Sequence, residues 1–244
     1  MEETARHSSK SRQVTLAAVF SAVYLILRIV PTFSMIGISG QFTAGDFILT
    51  TIAAIAGLWS GAVAVLVGTL LAYAVRPPIF FGLDFLPGLV NVSIAALLLS
   101  GRRRVAQVIY LIVLALFLVS PYSLFYGYDH IPYVWLHLIA FAVLLSPIAA
   151  RIPSWLKRGG YRGLAGFVAL AFVGTMAQHL MGALLFELSL GIVGGMTPAA
   201  FAAIWRIIFF AYPIERLVIL TISTILAVAI FRSFQKWAPP SWLA

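Results

Sequence analysis

Residues 14 to 30 read VTLAAVFSAVYLILRIV and form the first long apolar run of the chain. Arg12 precedes the run and Pro31 follows it. The run reaches the ~17–25 residues that cross a bilayer as a helix. It is too long for the core of a signal peptide and lacks a clear small-residue cleavage site, so we interpret it as a retained membrane helix.

Two stripes of side chains run along this helix, because residues three and four apart share one face. The first stripe is small and apolar, and consists of Ala18, Ala22, Leu25 and Ile29. The neighbouring stripe becomes more polar toward its far end, and consists of Ala17, Ser21, Tyr24 and Arg28. We expect the first stripe to dock a partner and the second to point toward a substrate site.

The composition of the whole chain is that of a membrane protein. Hydrophobic residues make up 62% and charged residues 9%, with a mean hydropathy of +1.05, whereas soluble domains carry roughly 25% charged residues. The chain has no cysteine, which excludes disulfides and thiolate chemistry. The net charge of +9 does not indicate nucleic acid, because the basic residues cluster at the ends of apolar runs.

The apolar runs predict an all-α polytopic membrane protein with about eight transmembrane helices. The predicted spans are 14–30, 47–56, 62–75, 84–100, 105–120, 133–150, 163–188 and 213–231. Gly57 and Gly61 bracket a tight turn between the second and third spans. We interpret 199–211 as an interfacial or re-entrant helix, because Thr197-Pro198 opens it and Pro213 interrupts it. The single transmembrane domain would cover 14–232, with cytoplasmic tails at 1–13 and 233–244.

The basic residues orient these spans by the positive-inside rule. With both termini in the cytoplasm, 12 of the 16 Lys and Arg residues fall inside: Arg6, Lys10, Arg12, Arg102, Arg103, Arg104, Arg151, Lys157, Arg158, Arg162, Arg232 and Lys236. Five of the seven acidic residues then map to the outer half. We therefore expect a multi-pass protein of the cell membrane with cytoplasmic N- and C-termini.

The polar residues of the outer half are the candidate binding residues. Charge near the hydrocarbon is costly, so such side chains usually face a cavity or one another. The candidates are Arg28, Gln41, Asp46, Asp84, Asn91, Gln178, His179, Glu187, Arg206, Tyr212, Glu215 and Arg216. They predict an outward-facing pocket for a small polar or zwitterionic molecule. Anchoring at headgroup depth and packing between helices are the structural alternatives for each of them.

Enzymatic motifs are missing from the sequence. There is no HExxH, GxSxG or GxxxxGK[ST] sequence. The histidines share no metal-ligand spacing, and His137 is isolated in an apolar run. We expect neither a catalytic role nor a cofactor or metal site. Uphill transport would require an ion gradient or ATPase partners, since the chain has no ATP-binding loop.

Three parts of the chain carry a family resemblance: Ala18-x-x-x-Ala22 after a basic tail, GLWSGAVAVLVGTLLAYA at 57–74, and PIER at 213–216 leading into TISTILAVAI. Together they resemble the substrate-binding S components of energy-coupling factor (ECF) transporters. That family has a six-helix core, so the resemblance implies an extra hairpin, which 105–150 could supply. Leu58 stands where the family usually has a proline.

The resemblance implies a subunit that captures a vitamin-like molecule or micronutrient. Its partners would be a transmembrane coupling protein and two cytoplasmic ATPases. Ala18 and Ala22 would dock these partners, and the loop 31–46 would cover the site. A metal substrate is disfavoured, because the chain begins Met-Glu-Glu and lacks the Met-His start of the metal-importing relatives.

Two other classes of function stay open on the sequence alone. The first is an integral membrane enzyme acting on a lipid or isoprenoid at the outer face, with candidate residues Asp129, His130, His179 and Glu187. The second is a stand-alone secondary transporter. Such a transporter usually shows an internal repeat, and we find no convincing one.

Overall fold

The computed structural model describes residues 2–237, 240 and 242, and the side chains of 10–236, 240 and 242. Its helices are α1 (Glu2–Ile29), α2 (Leu49–Ala72), α3 (Leu86–Leu99), α4 (Arg103–Val119), α5 (Trp135–Leu145), α6 (Pro147–Arg158), α7 (Gly160–Phe186) and α8 (Pro198–Trp237). A 3₁₀ turn (Ala44–Phe47) precedes α2, and a π-helix (Glu187–Val193) follows α7. Two antiparallel hairpins complete the described part, β1 (Pro31–Ser34) with β2 (Gln41–Thr43), and β3 (Tyr126–Tyr128) with β4 (Ile131–Pro132).

Four helical segments of the described chain are long and apolar enough to cross a membrane. By length and composition they are Lys10–Ile29, Gly160–Val193, Pro198–Lys236 and Leu49–Ala72, the last of which folds back on itself at Gly57. The bent pair α5–α6 makes a fifth if it is counted as one span. These helices confirm the coarse prediction of a mostly helical, multi-pass membrane protein. The count of eight spans and the cytoplasmic position of the termini stay predictions.

The helix α2 reverses direction at Gly57. This residue has φ 71° and ψ −166°, outside helical values and in a region that only glycine adopts readily. A methyl group added at Gly61 would lie 3.3 Å from Cγ2 of Ile52, whereas nine residues of straight helix would separate the two by ~13 Å. The predicted tight turn therefore exists, and residues 49–56 and 58–72 form two arms packed against each other.

The second arm of α2 runs beside α1 in the same direction. The Oγ of Ser60 donates a hydrogen bond to the carbonyl of Gln13 at 3.0 Å. Further along, a methyl group at Gly68 would lie 2.9 Å from the carbonyl oxygen of Ser21. This close approach of two helices requires glycine, because backbone atoms cannot move aside as side chains can. It fixes which face of α1 is turned toward the protein.

The predicted span at 133–150 is not one continuous helix, because the chain bends by 70° between α5 and α6. Ser146 caps α6 by accepting a hydrogen bond from the N–H of Ile148 at 3.2 Å, and Pro147 occupies the first helical position. Serine followed by proline is a typical helix start. Helix α6 carries Lys157 and Arg158 in its last turn. The predicted extra hairpin at 105–150 corresponds to α4 and α5, which pack against each other and against α7.

The predicted break at Pro213 is also wrong. Helix α8 begins at Pro198, where Thr197 accepts a hydrogen bond from the N–H of Ala200 at 3.3 Å as predicted. It then continues through Pro213 to Trp237. Proline removes one backbone donor from a helix, but here the preceding residue Tyr212 is fully buried and its packing maintains helical backbone. As a result, Glu215 and Arg216 lie within a helix and not in a first turn.

Helix α7 is the centre of the bundle, because α3, α4, α5, α6 and α8 all pack against it. The predicted N-terminal tail at 1–13 is helical from Glu2, and α8 extends to Trp237 into the predicted C-terminal tail. Met1 and residues 238, 239, 241, 243 and 244 of these predicted tails lie outside the described residues.

Candidate functional site

A cavity opens at the end of the bundle where α1 meets the β1–β2 hairpin. Its volume is about 100 Å³. Its walls come from α1, the β1–β2 hairpin, the segment 79–88, α7 and α8. The hairpin packs across this end of the bundle, since a methyl group at Gly37 would lie 3.0 Å from Ile204 and 3.2 Å from Phe186.

Two thirds of the predicted binding residues line this cavity. They are Arg28, Gln41, Asp46, Asp84, Gln178, His179, Glu215 and Arg216. Apolar side chains complete the wall, among them Met35, Phe42, Phe186 and Trp205. The structure thus brings side chains separated by nearly 190 positions into one small space, and their role in binding substrate stays a prediction.

A chain of buried hydrogen bonds joins three elements at the cavity wall. The Nδ2 of Asn91 donates to the Oε1 of Gln178 at 2.8 Å, and the Nε2 of Gln178 donates to the Oδ1 of Asp46 at 2.6 Å. The bonds therefore run from α3 through α7 to the 3₁₀ turn. Gly174 permits this approach, because a methyl group there would lie 2.5 Å from the Oδ1 of Asn91.

The carboxyl of Asp46 is buried between two cations. Burial raises its pKa above the usual value, while the charges of Arg28 and Arg216 and the hydrogen bond from Gln178 lower it. Its backbone carbonyl also accepts a bond from the Oγ of Ser223 at 3.4 Å. Asp46 therefore ties α8 to the wall as well, and it is a structural centre of the site.

The carboxylate of Asp84 is occupied by backbone. Its two oxygens accept hydrogen bonds from the N–H groups of Ile79 at 2.9 Å and Phe80 at 3.0 Å. Arg28 reaches the Asp84 carbonyl at 3.5 Å and the Oγ1 of Thr43 at 3.4 Å. Asp84 therefore orders the loop before α3, and both contacts of Arg28 are long.

Gln41 lies at the rim of the cavity. Its Oε1 accepts a hydrogen bond from the Nη2 of Arg76 at 3.0 Å. The bond connects β2 with the segment that follows α2, so it fastens the hairpin over the cavity. Gln41 is exposed, and such a bond contributes on the order of 1 kcal/mol at most.

A stack of three aromatic rings backs the cavity. The Nε2 of His137 lies 2.8 Å from the Nδ1 of His179, so one of these nitrogens carries the shared proton. Tyr212 stacks on His179 at 4.9 Å between ring centres, and its hydroxyl donates to the carbonyl of Tyr133 at 3.0 Å. Only His179 of these rings lines the cavity. His137 was not among the predicted binding residues, because a single histidine in an apolar run carries no pairing signal.

Four predicted binding residues do not line the cavity. Asn91 and Tyr212 stand one layer behind it, bonded to Gln178 and stacked on His179. Glu187 is buried in the π-helix without a hydrogen-bond partner among the described residues. Arg206 is exposed on α8.

The two stripes of α1 face opposite environments. Tyr24 is 2% exposed and Ser21 6% exposed, and Tyr24 and Arg28 line the cavity. Ala18 and Ala22, the predicted partner-docking residues, are exposed. Docking itself stays a prediction, but the structure leaves these alanines accessible. Ala18 precedes Arg28 by ~15 Å along the helix axis.

The described residues contain no group of three or more His, Cys, Asp or Glu side chains that could hold a metal ion. What the site offers is hydrogen bonding, two guanidinium groups and an apolar wall. Comparison of the chain with protein-family models, with curated proteins and with solved structures finds no match.

Proposed function

We propose that this protein is the substrate-binding membrane subunit of an ECF-type importer. In this proposal the cavity captures a small vitamin-like or micronutrient molecule. A transmembrane coupling protein and two cytoplasmic ATPases then drive its uptake across the cell membrane.

One observation carries the proposal: α1 presents a cavity-lining face and an accessible small-residue face at different heights. Tyr24 and Arg28 belong to the cavity, while Ala18 and Ala22 remain uncovered. Small side chains permit close helix–helix approach in a membrane. A single helix could therefore connect capture of a ligand with contact to a partner.

The β1–β2 hairpin supports the same function. It contributes Met35, Gln41 and Phe42 to the cavity and is fastened by the Gln41–Arg76 bond. A ligand would be enclosed by a segment that joins α1 to α2. An enclosing segment of this kind is expected in a binding subunit that must retain its ligand until it binds its partner subunits.

The enzyme alternative has weaker support in the site. Asp129 and His130 lie 3.7 Å apart on the exposed turn between β3 and β4, and neither lines the cavity. Glu187 does not line it either, which leaves His179 as the one candidate catalytic residue there. Ligand binding would use more of the residues that line the cavity than catalysis would.

The test is a double substitution, Ala18→Trp with Ala22→Trp. The small molecule that co-purifies with the chain is identified by mass spectrometry, and its uptake is measured in cells that express the chain with its partner subunits. We expect the double variant to lose uptake and to lose the ATPases on purification, while it keeps the bound molecule. The bulky indoles would separate the docking helices.

The matched control is Val108→Trp with Ile112→Trp, which places the same side chains four residues apart on the exposed face of α4. We expect normal uptake for the control. Normal uptake by the Ala18 and Ala22 variant would contradict the docking role. Uptake by the chain alone in vesicles, or chemical conversion of the molecule by the purified chain, would contradict the proposed class.

A further inference from the structure

Arg216 is a buried cation whose hydrogen-bonding capacity is unused. Its side chain is 3% exposed, and its Nε and Nη2 atoms are enclosed without a hydrogen-bond partner among the described residues. Its nearest acidic group is the Oε2 of Glu215 at 3.7 Å, which is beyond hydrogen-bonding distance. A guanidinium has five N–H donors in a fixed plane, so a buried one without acceptors is costly.

One end of the Arg216 guanidinium remains for a ligand. Its guanidinium lies over the ring of Phe42, 4.8 Å from the ring centre, and such a contact satisfies the charge in part. Both side chains line the cavity. Because Nε and Nη2 are enclosed while Nη1 is not among the enclosed atoms, an acceptor in the cavity could meet the N–H groups of Nη1.

Two of the three acids around the cavity are hydrogen-bonded to other groups. Asp84 accepts two backbone N–H bonds, and Asp46 accepts the bond from Gln178. The third acid, Glu215, forms the long ion pair with Arg216. Among the described residues, no carboxylate therefore lies within hydrogen-bonding distance of Arg216. Arg28, which also lines the cavity, adds a second positive charge whose two hydrogen bonds are long.

The rest of the wall suits an apolar body. Met35, Ile79, Phe186, Trp205 and Ile208 line the cavity together with Phe42. Aromatic and aliphatic walls with a few convergent polar groups are typical of sites for small organic ligands. The cavity's volume of about 100 Å³ limits the ligand to a small molecule.

We propose that this cavity selects a small molecule with an apolar, ring-bearing body and one carboxylate group, which the guanidinium of Arg216 binds through Nη1. Hydrogen bonds between a guanidinium and a carboxylate are charge-assisted and are roughly twice as strong as neutral ones. This proposal gives the substrate class of the proposed importer subunit. Only the claim that the bound molecule is then taken up rests on the proposed function. The same chemistry could come from an anionic lipid headgroup, which the experiment distinguishes.

The experiment compares benzoate with benzamide, its neutral isostere. The full chain is purified in dodecylmaltoside, and binding is measured by isothermal titration calorimetry. We expect benzoate to bind at least tenfold more tightly than benzamide. Arg216→Met should abolish this preference, and Arg216→Lys should weaken benzoate binding because a point charge replaces the fork.

Two further variants lie on the same helix. The control is Arg206→Met, which removes an exposed arginine of α8 and should leave benzoate binding unchanged. Glu215→Gln is a second test, because Glu215 lines the cavity; it removes the carboxylate that competes for Arg216 and should tighten benzoate binding. Melting temperatures monitored by circular dichroism show whether each variant folds, and Arg216→Lys keeps the test valid if Arg216→Met does not.

Equal affinity for benzoate and benzamide, or no binding of benzoate, would overturn the proposal. Loss of benzoate binding in Glu215→Gln would overturn it as well, because it would make the acid the ligand-binding group. In nanodiscs, displacement of benzoate by phosphatidylglycerol but not by phosphatidylcholine would assign the anion to a lipid headgroup and overturn the free-molecule form. If uptake depends on Ala18 and Ala22 but benzoate is not preferred over benzamide, only this inference is overturned. If the Ala18 and Ala22 double variant has normal uptake while benzoate is preferred, only the proposed function is overturned.

Discussion

Substitution of Gln178 by methionine tests the hydrogen-bonded chain that supports the cavity wall. Methionine has a similar length and volume but offers no amide. The change leaves the Nδ2 of Asn91 without its acceptor at 2.8 Å and the Oδ1 of Asp46 without its donor at 2.6 Å. Both residues are buried, at 1% and 5% exposed, so water does not readily replace the lost amide.

The expected magnitude follows from these two orphaned groups. A buried neutral donor left unpaired costs ~1–3 kcal/mol, and a charged acceptor costs more. Asp46 keeps the charges of Arg28 and Arg216 nearby, which limits its loss. We expect a total destabilisation of ~2–5 kcal/mol. For a chain of this size each kcal/mol lowers the melting temperature by roughly 2–4 °C, so the shift should be at least about 4 °C.

The assay is thermal unfolding in dodecylmaltoside, followed by circular dichroism. The matched control is Gln13→Met, since Gln13 is exposed and only its backbone carbonyl accepts the bond from Ser60. Asn91→Leu combined with Gln178→Met should cost less than the sum of the two single substitutions, because the bonded groups are then removed together. A Gln178→Met variant that melts within 1 °C of the Gln13→Met control would refute the reasoning.

Two glycine substitutions test helix packing by the same melting assay. Gly68→Ala should destabilise by ~1–3 kcal/mol, because its methyl group would meet the Ser21 carbonyl at 2.9 Å. The control is Gly163→Ala, whose methyl group would make only an ordinary contact at 3.5 Å and which should be neutral or stabilising. Similar melting temperatures of the two variants would contradict the close approach of the helices at Gly68. Gly127→Ala should destabilise to a similar extent, since its methyl group would overlap the buried ring of Phe209. An unchanged melting temperature would show that the β3–β4 hairpin does not pack on α8.

The sidedness of α1 could be predicted from the sequence, because helical periodicity alone decides which residues share a face. Tyr24 is buried and Ala22 exposed, as the two stripes predict. The reversal at Gly57 was predictable for a similar reason, since two nearby glycines in an apolar run indicate a break. Local patterns of this kind depend on a few neighbouring residues and survive folding.

The break between α5 and α6 carried a local signal that the sequence analysis overlooked. Ser146-Pro147 is a helix-start pair inside the apolar run. The opposite error concerns Pro213. The proline predicts a helix break, but tertiary packing keeps α8 continuous there. Tyr212 stacks on His179 and bonds to Tyr133, and these contacts maintain a helix that the proline alone disfavours.

Membership of the cavity could be predicted only in part. Charge in the apolar runs pointed to the right kind of residue, but the rotation of each helix decides which side chain faces inward. Arg206 and Arg216 lie on one helix, and only Arg216 reaches the cavity. Glu187 is the first residue of the π-helix that follows α7, and it is buried away from the cavity wall.

Because the chain reverses at Gly57, the number of residues from Gly57 to Gly61 and from Gly61 to Gly68 decides which neighbours these glycines meet. One residue inserted between Gly57 and Gly61 would rotate the second arm of α2 by ~100° and advance it by ~1.5 Å. Gly61 would then leave Ile52, and Gly68 would leave the backbone of Ser21. Homologous chains with this architecture should keep intervals of four and seven residues between these three glycines, even where every other side chain of the arm has changed. That ungapped pattern gives a search criterion for distant relatives that overall sequence identity would not reveal.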